Sequence, residues 1–556
     1  MSRPWRNAAI LLFTLSILFG SFFGNQLLAV SGDSQTQIRK LTELLQVAHE
    51  NYGAEVAYKD LVYASIDGMM RTLDPHTNFL SPEDYEDMRE RQQASFYGLG
   101  ILVSMRDGDL TVISPIEGTP AWRLGLRAGD VISAIEGEPT NKMTIDEAIN
   151  KLKGPKGTEV HITIVRRGLG EPMQLDITRA EIPQNTVRFA YMMTPEVGYI
   201  RLTDFTRSSY REMYEALDKL KKEGMKKVLL DLRSNGGGLL DQTVSISGLF
   251  VPSGSLIVET RGRLADSRQR FEAEADRPPI DLPLVVLVNN GTASASEILS
   301  GAIQDHDVGL VAGTPTWGKG LVQTVYNLSY GAGIALTTAK YYTPSGRLIQ
   351  RDYSSYYDYY THFGPDGGPG AVDIEQGPAP EMPQQGEEFH TDLGRKVFGG
   401  GGITPDVAIE LPDGPQILTV LFAKNSFFEF AVDYHNGHPV PNTQWKPDPK
   451  LVDEFRDWVV KEDVTTAEAI DKMLADPAAR DFTLRQIHSD IFNAAFGTQE
   501  ANRVTAAGDE QIQKALLLFD QASQLLANRH AAQGKPSIRT ADRSDSGVSS
   551  GGGGME

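Results

Sequence analysis

Between residues 35 and about 91, apolar positions recur at three- and four-residue steps, as in IRKLTELLQVAHENY and YKDLVYASIDGMMRTL, which predicts amphipathic helices. The prolines of LDPHTNFLSPEDY interrupt that pattern. From Phe96 the period shifts toward two. GLGILVSMRDGDLTVISPI reads as strand, turn and strand, TIDEAINKLKG as a short helix, and EVHITIVRRG with PMQLDITRA as a closing hairpin. After EIPQNTV the pattern changes again. The apolar runs VGYIRLTDF, KKVLLDL, LPLVVLV and VGLVAG alternate with the amphipathic helices YREMYEALDKLKKEG and ASEILSGAIQDH, which predicts a parallel, helix-covered sheet. Residues 352–402, rich in Tyr, Gly, Pro and Gln, have no apolar period and read as a loop-like insert. ITPDVAIEL then predicts a strand returning to the sheet. Helices resume at about Pro415, and the final SDSGVSSGGGGME predicts disorder. No internal repeat is present.

A chain of 556 residues is too long for one ordinary core and predicts several domains. Its net charge of −20 argues against a nucleic-acid partner. The absence of cysteine removes thiol nucleophiles, disulfides and Cys-ligated zinc. The N-terminus carries Arg3 and Arg6, then an almost wholly apolar run from Ala8 to Phe23, then small residues at Ala29 and Ser31. That order predicts an export signal over residues 1–31, shorter than the ~20 apolar residues of a membrane span. Cleavage and retention as an inner-membrane anchor both stay open. Either outcome places the remainder in the periplasm or outside the cell.

Three stretches carry candidate chemistry. NNGTASASEILSG follows a buried strand and opens a helix, where free main-chain N–H groups favour negative charge. A serine here serves as a helix cap or as a nucleophile. GTPTWGKGLVQTVYNL resembles a phosphate-binding loop through Gly313, Gly318 and Lys319, but Gly320 replaces the magnesium-binding hydroxyl and a strand pattern follows. A lysine framed by glycines can instead enter a crowded pocket and act as a base once desolvation keeps it neutral. The glycines of DLRSNGGGLL let a backbone N–H approach an oxyanion, or simply make a tight turn. His306 falls near the far end of the helix that Ser294 would open, which weakens a Ser–His pair, although His76 or His161 could be brought in by the fold. No metal-ligand spacing or cofactor fingerprint is present.

LDPHTNFL, GLGI, GLRAGDVI, DLRSNGGG, NNGTASASEI, GKGLVQT, TPSGRLI and GGITPDV, in this order, resemble the C-terminal processing peptidases, the tail-specific serine proteases of the S41 type. The resemblance implies a multidomain α/β chain. It comprises a helical region at 32–94, a PDZ module at 95–181, a crotonase- or ClpP-like protease core with a parallel-rich sheet at 182–414, a helical region at 415–540 and a tail at 541–556. It implies Ser294 as nucleophile, Lys319 as base and Gln323 as its support, with the main-chain N–H groups of Gly238 and Ala295 as oxyanion donors. Separation by four residues would set Lys319 and Gln323 on one face of a strand. FYGLGILV resembles a carboxylate-binding loop, in which Gly98, Leu99, Gly100 and Ile101 would hold a peptide C-terminus added as a strand. Arg166 stands where relatives link PDZ to protease. The implied partners are protein or peptide substrates with free C-termini, a second copy of the chain in a dimer, and an adaptor protein; no cofactor is implied. Two competing readings are a non-catalytic PDZ adaptor on an inactive protease fold and a crotonase-like acyl-transfer enzyme.

Overall fold

The computed structural model describes residues 34–106, 108–274, 278–351, 387–410 and 415–534. The predicted export signal, the glycine-rich tail and the first part of the insert lie outside the described residues. The described chain divides into two compact units, the smaller made of residues 34–82 with Gln323–Thr337.

In the larger unit, six strands lie in the order Val187–Met192, Val197–Leu202, Lys227–Asp231, Leu284–Val288, Leu310–Gly313 and Val407–Ala408. The first pair is antiparallel and every later pair parallel. Successive residues alternate between two cores, as the pleat requires. Val228, Leu230, Val286 and Val288 pack with the helices Ser209–Lys222, Leu240–Ser247 and Ala295–Asp305. Leu229, Val285 and Leu287 pack instead against Ile512, Ala515, Phe519, Ala522 and Leu525 from the last two helices, Glu510–Leu516 and Phe519–Gln533. The continuous apolar runs in the sequence thus mark strands buried on both faces.

The β-rich module is an antiparallel sheet of Ile101–Arg106, Asp109–Pro115, Val131–Ile135, Glu159–Val165 and Met173–Thr178, with the helix Ile145–Leu152. Ile101–Arg106 is an edge strand, paired only with Asp109–Pro115 among the described residues. The module enters and leaves through a two-stranded stem, Ser95–Gly98 against Ala180–Pro183. Arg166 does not leave this module. Both oxygens of the buried Asp130 bind its guanidinium at 2.7 and 2.8 Å, and Gly125 O accepts a further bond at 2.8 Å. Arg106 and Arg167 do leave it, pairing with Glu429 at 3.0 and 2.7 Å on the helix Ser426–Gly437. That helix belongs to a separate helical core containing Leu421, Phe427, Phe430, Phe455 and Ile487.

Part of the predicted insert is ordered into a hairpin, Glu388–His390 with Lys396–Phe398, which corrects the loop-like reading over those residues. Its strands are too short to show an alternation. It is fixed from outside its own sequence, by Arg395 bound to Asp307 at 2.6 Å and to Asp406 at 2.5 Å.

The smaller unit contains the helices 34–51 and Tyr58–Arg71. It also pairs Asn78–Leu80 with Gly333–Ala335. Asp74 organises its turn, accepting bonds from His76 N, Thr77 N and the hydroxyls of Thr77 and Thr337. None of the described helices is long and apolar enough to cross a membrane.

Candidate active site

The turn after Leu284–Val288 places Ser294 at φ +55° and ψ −114°, a conformation an L-residue adopts only under constraint. The constraint is visible in the bonds on either side. Asn289 Oδ1 accepts from Ser234 N at 2.7 Å and Gly291 N at 3.1 Å. Thr292 Oγ1 donates to Leu232 O at 2.9 Å, and Ala293 N donates to Asn235 O at 3.0 Å. The serine turn is therefore stitched to the glycine loop that follows Lys227–Asp231.

That loop comes close enough to require glycine. A β-carbon on Gly237, whose φ is +101°, would stand 2.8 Å from both Ala295 N and Ser294 Cβ. One on Gly238 would strike the carbonyl oxygen of Phe205. The N–H groups of Gly238 and Ala295 donate to no acceptor among the described residues, while Phe205 N bonds Gly237 O and Leu239 N bonds Phe205 O on either side of Gly238. The loop thus lies against the Ser294 Cβ at Gly237, and the N–H groups of Gly238 and Ala295 stay available as donors.

Glu297 ties the serine to the lysine loop. It is fully buried, with 0% exposure. Its Oε1 accepts from Thr316 Oγ1 at 2.5 Å and Gly318 N at 2.7 Å, and its Oε2 accepts from Ser294 N at 2.7 Å and Lys319 N at 2.9 Å. Since both bond the same oxygen at 2.7 and 2.9 Å, the main-chain nitrogens of Ser294 and Lys319 lie no more than 5.6 Å apart. Burial pushes the Glu297 pKa up, against the four donors, which favour the carboxylate. Trp317 N donating to Thr292 O at 2.9 Å is a second tie between the two loops. Sequence reasoning missed Glu297. Its signal was present, because Ser followed three residues later by Glu is the pattern in which Glu reaches back to the cap residue's N–H.

Lys319 precedes the strand Leu321–Asn327 and is not part of it, so the shared-face argument for Lys319 and Gln323 does not hold. Gly318 at φ +86° and Gly320, whose N–H bonds Gln350 Oε1 at 2.8 Å, place the lysine in a loop before the strand begins. Gln323 belongs to the smaller unit, where its Nε2 donates to His76 O. A strand follows Lys319, so the helix that a phosphate-binding loop requires is missing at that point.

His306 and His161 are engaged elsewhere. His306 ends the helix opened by Ser294 and bonds Asp392 at 2.8 Å and Leu256 O at 2.7 Å. Burial opposes its protonation, yet those two bonds hold its pKa above the ordinary value. His161 is exposed and pairs with Asp176 at 2.5 Å.

Behind the glycine loop, Asp231 is fully buried and accepts from Tyr199 OH at 2.9 Å, Arg201 Nη1 at 2.9 Å and Arg233 Nη2 at 2.7 Å. Burial opposes its charge, but the arginines hold its pKa below the usual carboxylate range. At the edge of the β-rich module, the N–H groups of Leu99 and Gly100 are likewise unspent among the described residues. Gly98 ends the stem strand and Ile101 begins the edge strand. Gly100 has φ +79°, and a β-carbon there would strike Thr119.

The fold and this site define a serine-type peptidase, and comparison with known proteins agrees. Residues 196–354 match peptidase family S41 and residues 111–166 match the PDZ domain. A carboxy-terminal-processing protease of Bartonella bacilliformis is 38% identical over 56% of this chain and 73% of its own length. The carboxy-terminal processing protease CtpA of Bacillus subtilis is 35% identical, over 61% of this chain and 72% of its own length. A carboxyl-terminal-processing protease of Synechocystis is 38% identical, over 53% and 69%. The chain belongs to the carboxy-terminal-processing proteases of peptidase family S41.

Proposed function

We propose that the protein is an exported endopeptidase that takes up substrates by a free C-terminus and cleaves them with a Ser294–Lys319 pair. The observation that carries this reading is the shared Glu297 oxygen, which holds the two main chains within one hydrogen-bonded turn of each other. In the proposed cycle the uncharged Lys319 amine accepts the Ser294 hydroxyl proton as the Ser294 oxygen attacks a substrate carbonyl. The negative charge that develops on the carbonyl oxygen is met by the N–H groups of Gly238 and Ala295. The amine leaving group takes the proton, an acyl-enzyme remains, and water activated by the same lysine releases it.

The PDZ domain captures the tail. Leu99, Gly100 and Ile101 N–H groups bind the terminal carboxylate, and the tail adds as a strand to the open edge of Ile101–Arg106. Two chains form a dimer, a reading supported by the exposed stripe of Ile38, Leu41, Leu44 and Val47 on the helix 34–51. The basic, apolar and small-residue order of residues 1–31 supports export to the periplasm or beyond, with an adaptor protein supplying substrates there.

Cleavage of one unfolded substrate with a free apolar C-terminus, set against its C-terminally amidated form, tests this reading. The free tail is expected to raise kcat/KM by about tenfold or more, the scale of losing charge-assisted bonds. Gly100→Ala is expected to remove that preference. Equal rates for both forms would contradict tail capture, and no cleavage of either would support an adaptor.

A further inference from the structure

The last helices of the chain do more than cover one face of the sheet. Arg233 lies where the strand Lys227–Asp231 turns into the glycine loop. Its guanidinium grips Asp231 through Nε at 3.0 Å and Nη2 at 2.7 Å. Its Nη1 reaches in the other direction, to Asp509 Oδ2 at 2.8 Å and Gln511 Oε1 at 2.9 Å. Gln511 is buried and 278 positions away in sequence. Its Nε2 donates to Ile409 O at 2.9 Å, just past the sheet's last strand. The other Asp509 oxygen accepts from Ile512 N at 3.0 Å and caps the helix Glu510–Leu516.

The loop held from this point is under constraint. Ser234 sits at φ +58°, Gly237 N donates to Asn235 Oδ1 at 2.9 Å, and Asn235 O receives Ala293 N from the serine turn. A shift at Arg233 is therefore passed along this bonded chain to Gly238 on one side and to the serine turn on the other. Misplacement of about 1 Å at such a site costs about a hundredfold in rate.

We propose that Asp509 and Gln511 are positioning residues for peptide-bond cleavage, which act through Arg233 to fix the loop bearing the Gly238 N–H. The C-terminal helices are then part of the catalytic apparatus as well as of the core. This rests on the reading of Ser294, Gly238 and Ala295 as the reacting site.

Asp509→Asn separates positioning from plain stability, because asparagine caps a helix as well as aspartate but gives Arg233 no negative charge. Asp509→Ala removes both, and Gln511→Ala removes the second grip. The full chain is assayed for kcat, KM, melting temperature and affinity for a peptide boronate, whose tetrahedral adduct uses the same oxyanion donors. Asp509→Asn and Gln511→Ala are expected to lower kcat by about tenfold, to leave KM within about twofold and to weaken boronate binding in parallel with kcat. Asp509→Asn keeps the cap through its one oxygen and should melt above Asp509→Ala, which loses cap and charge together. A parental kcat in Asp509→Asn, or a loss of kcat with unchanged boronate affinity, overturns the proposal. Full activity in Ser294→Ala would overturn the underlying site instead, and the melting and kcat values would still tell the cap from the positioning role.

Discussion

Ser294→Ala is expected to lower cleavage of an unfolded substrate by about 10⁴-fold or more, because the acyl-enzyme can no longer form. The substitution removes one oxygen from a half-buried side chain and leaves the bonds that shape the turn untouched, since these run through Ser294 N, Ala293 N and Thr292 Oγ1. Folding and tail binding should therefore survive. A plain helix-cap serine would behave differently, because loss of a cap costs only about 1 kcal/mol of stability and no chemistry. Steady-state kinetics with a melting curve distinguish the two, and retained cleavage in a folded Ser294→Ala protein would end the serine reading.

Glu297→Gln is expected to lower kcat by about 10²-fold and to destabilise the fold by about 2–5 kcal/mol. Each carboxylate oxygen accepts two donors, one pair from Thr316 and Gly318 and the other from Ser294 and Lys319. A glutamine has only one acceptor oxygen, so whichever way its amide turns, an NH₂ group meets a buried pair of donors. If the NH₂ faces Ser294 and Lys319, the serine and lysine loops lose their common anchor. Chemical denaturation and kcat measured on the same preparation check both parts, and a variant with parental stability and rate would show that the carboxylate joins nothing of consequence.

The sequence made the sheet legible because strands buried on both faces are written as apolar runs such as LVVLV, with helices between them. It also made the serine, glycine and lysine loops legible as close approaches, since glycines and small residues gather where backbones must come near. Bonds made across long separations were not legible. Arg395 to Asp307, Arg233 to Asp509 and Arg106 to Glu429 join elements whose charges look like ordinary surface residues in the linear chain. The shared face of Lys319 and Gln323 failed for a local reason, because the strand period was extended through Gly320 when the strand begins at Leu321. Arg166, expected to link PDZ to protease, is held instead by the buried Asp130 of its own domain.

The central claim is that the Lys319 amine, in its uncharged form, takes the Ser294 proton. Because the chain contains no cysteine, Lys319→Cys followed by aminoethylation places a single thioether analogue of lysine at that position, with an amine of lower pKa. The cysteine variant should be inactive before alkylation. Alkylation should restore cleavage and move the rising limb of the kcat/KM pH profile to lower pH than in the parent. A limb that does not move, or a cysteine variant that cleaves without alkylation, would contradict the assignment of Lys319 as the base.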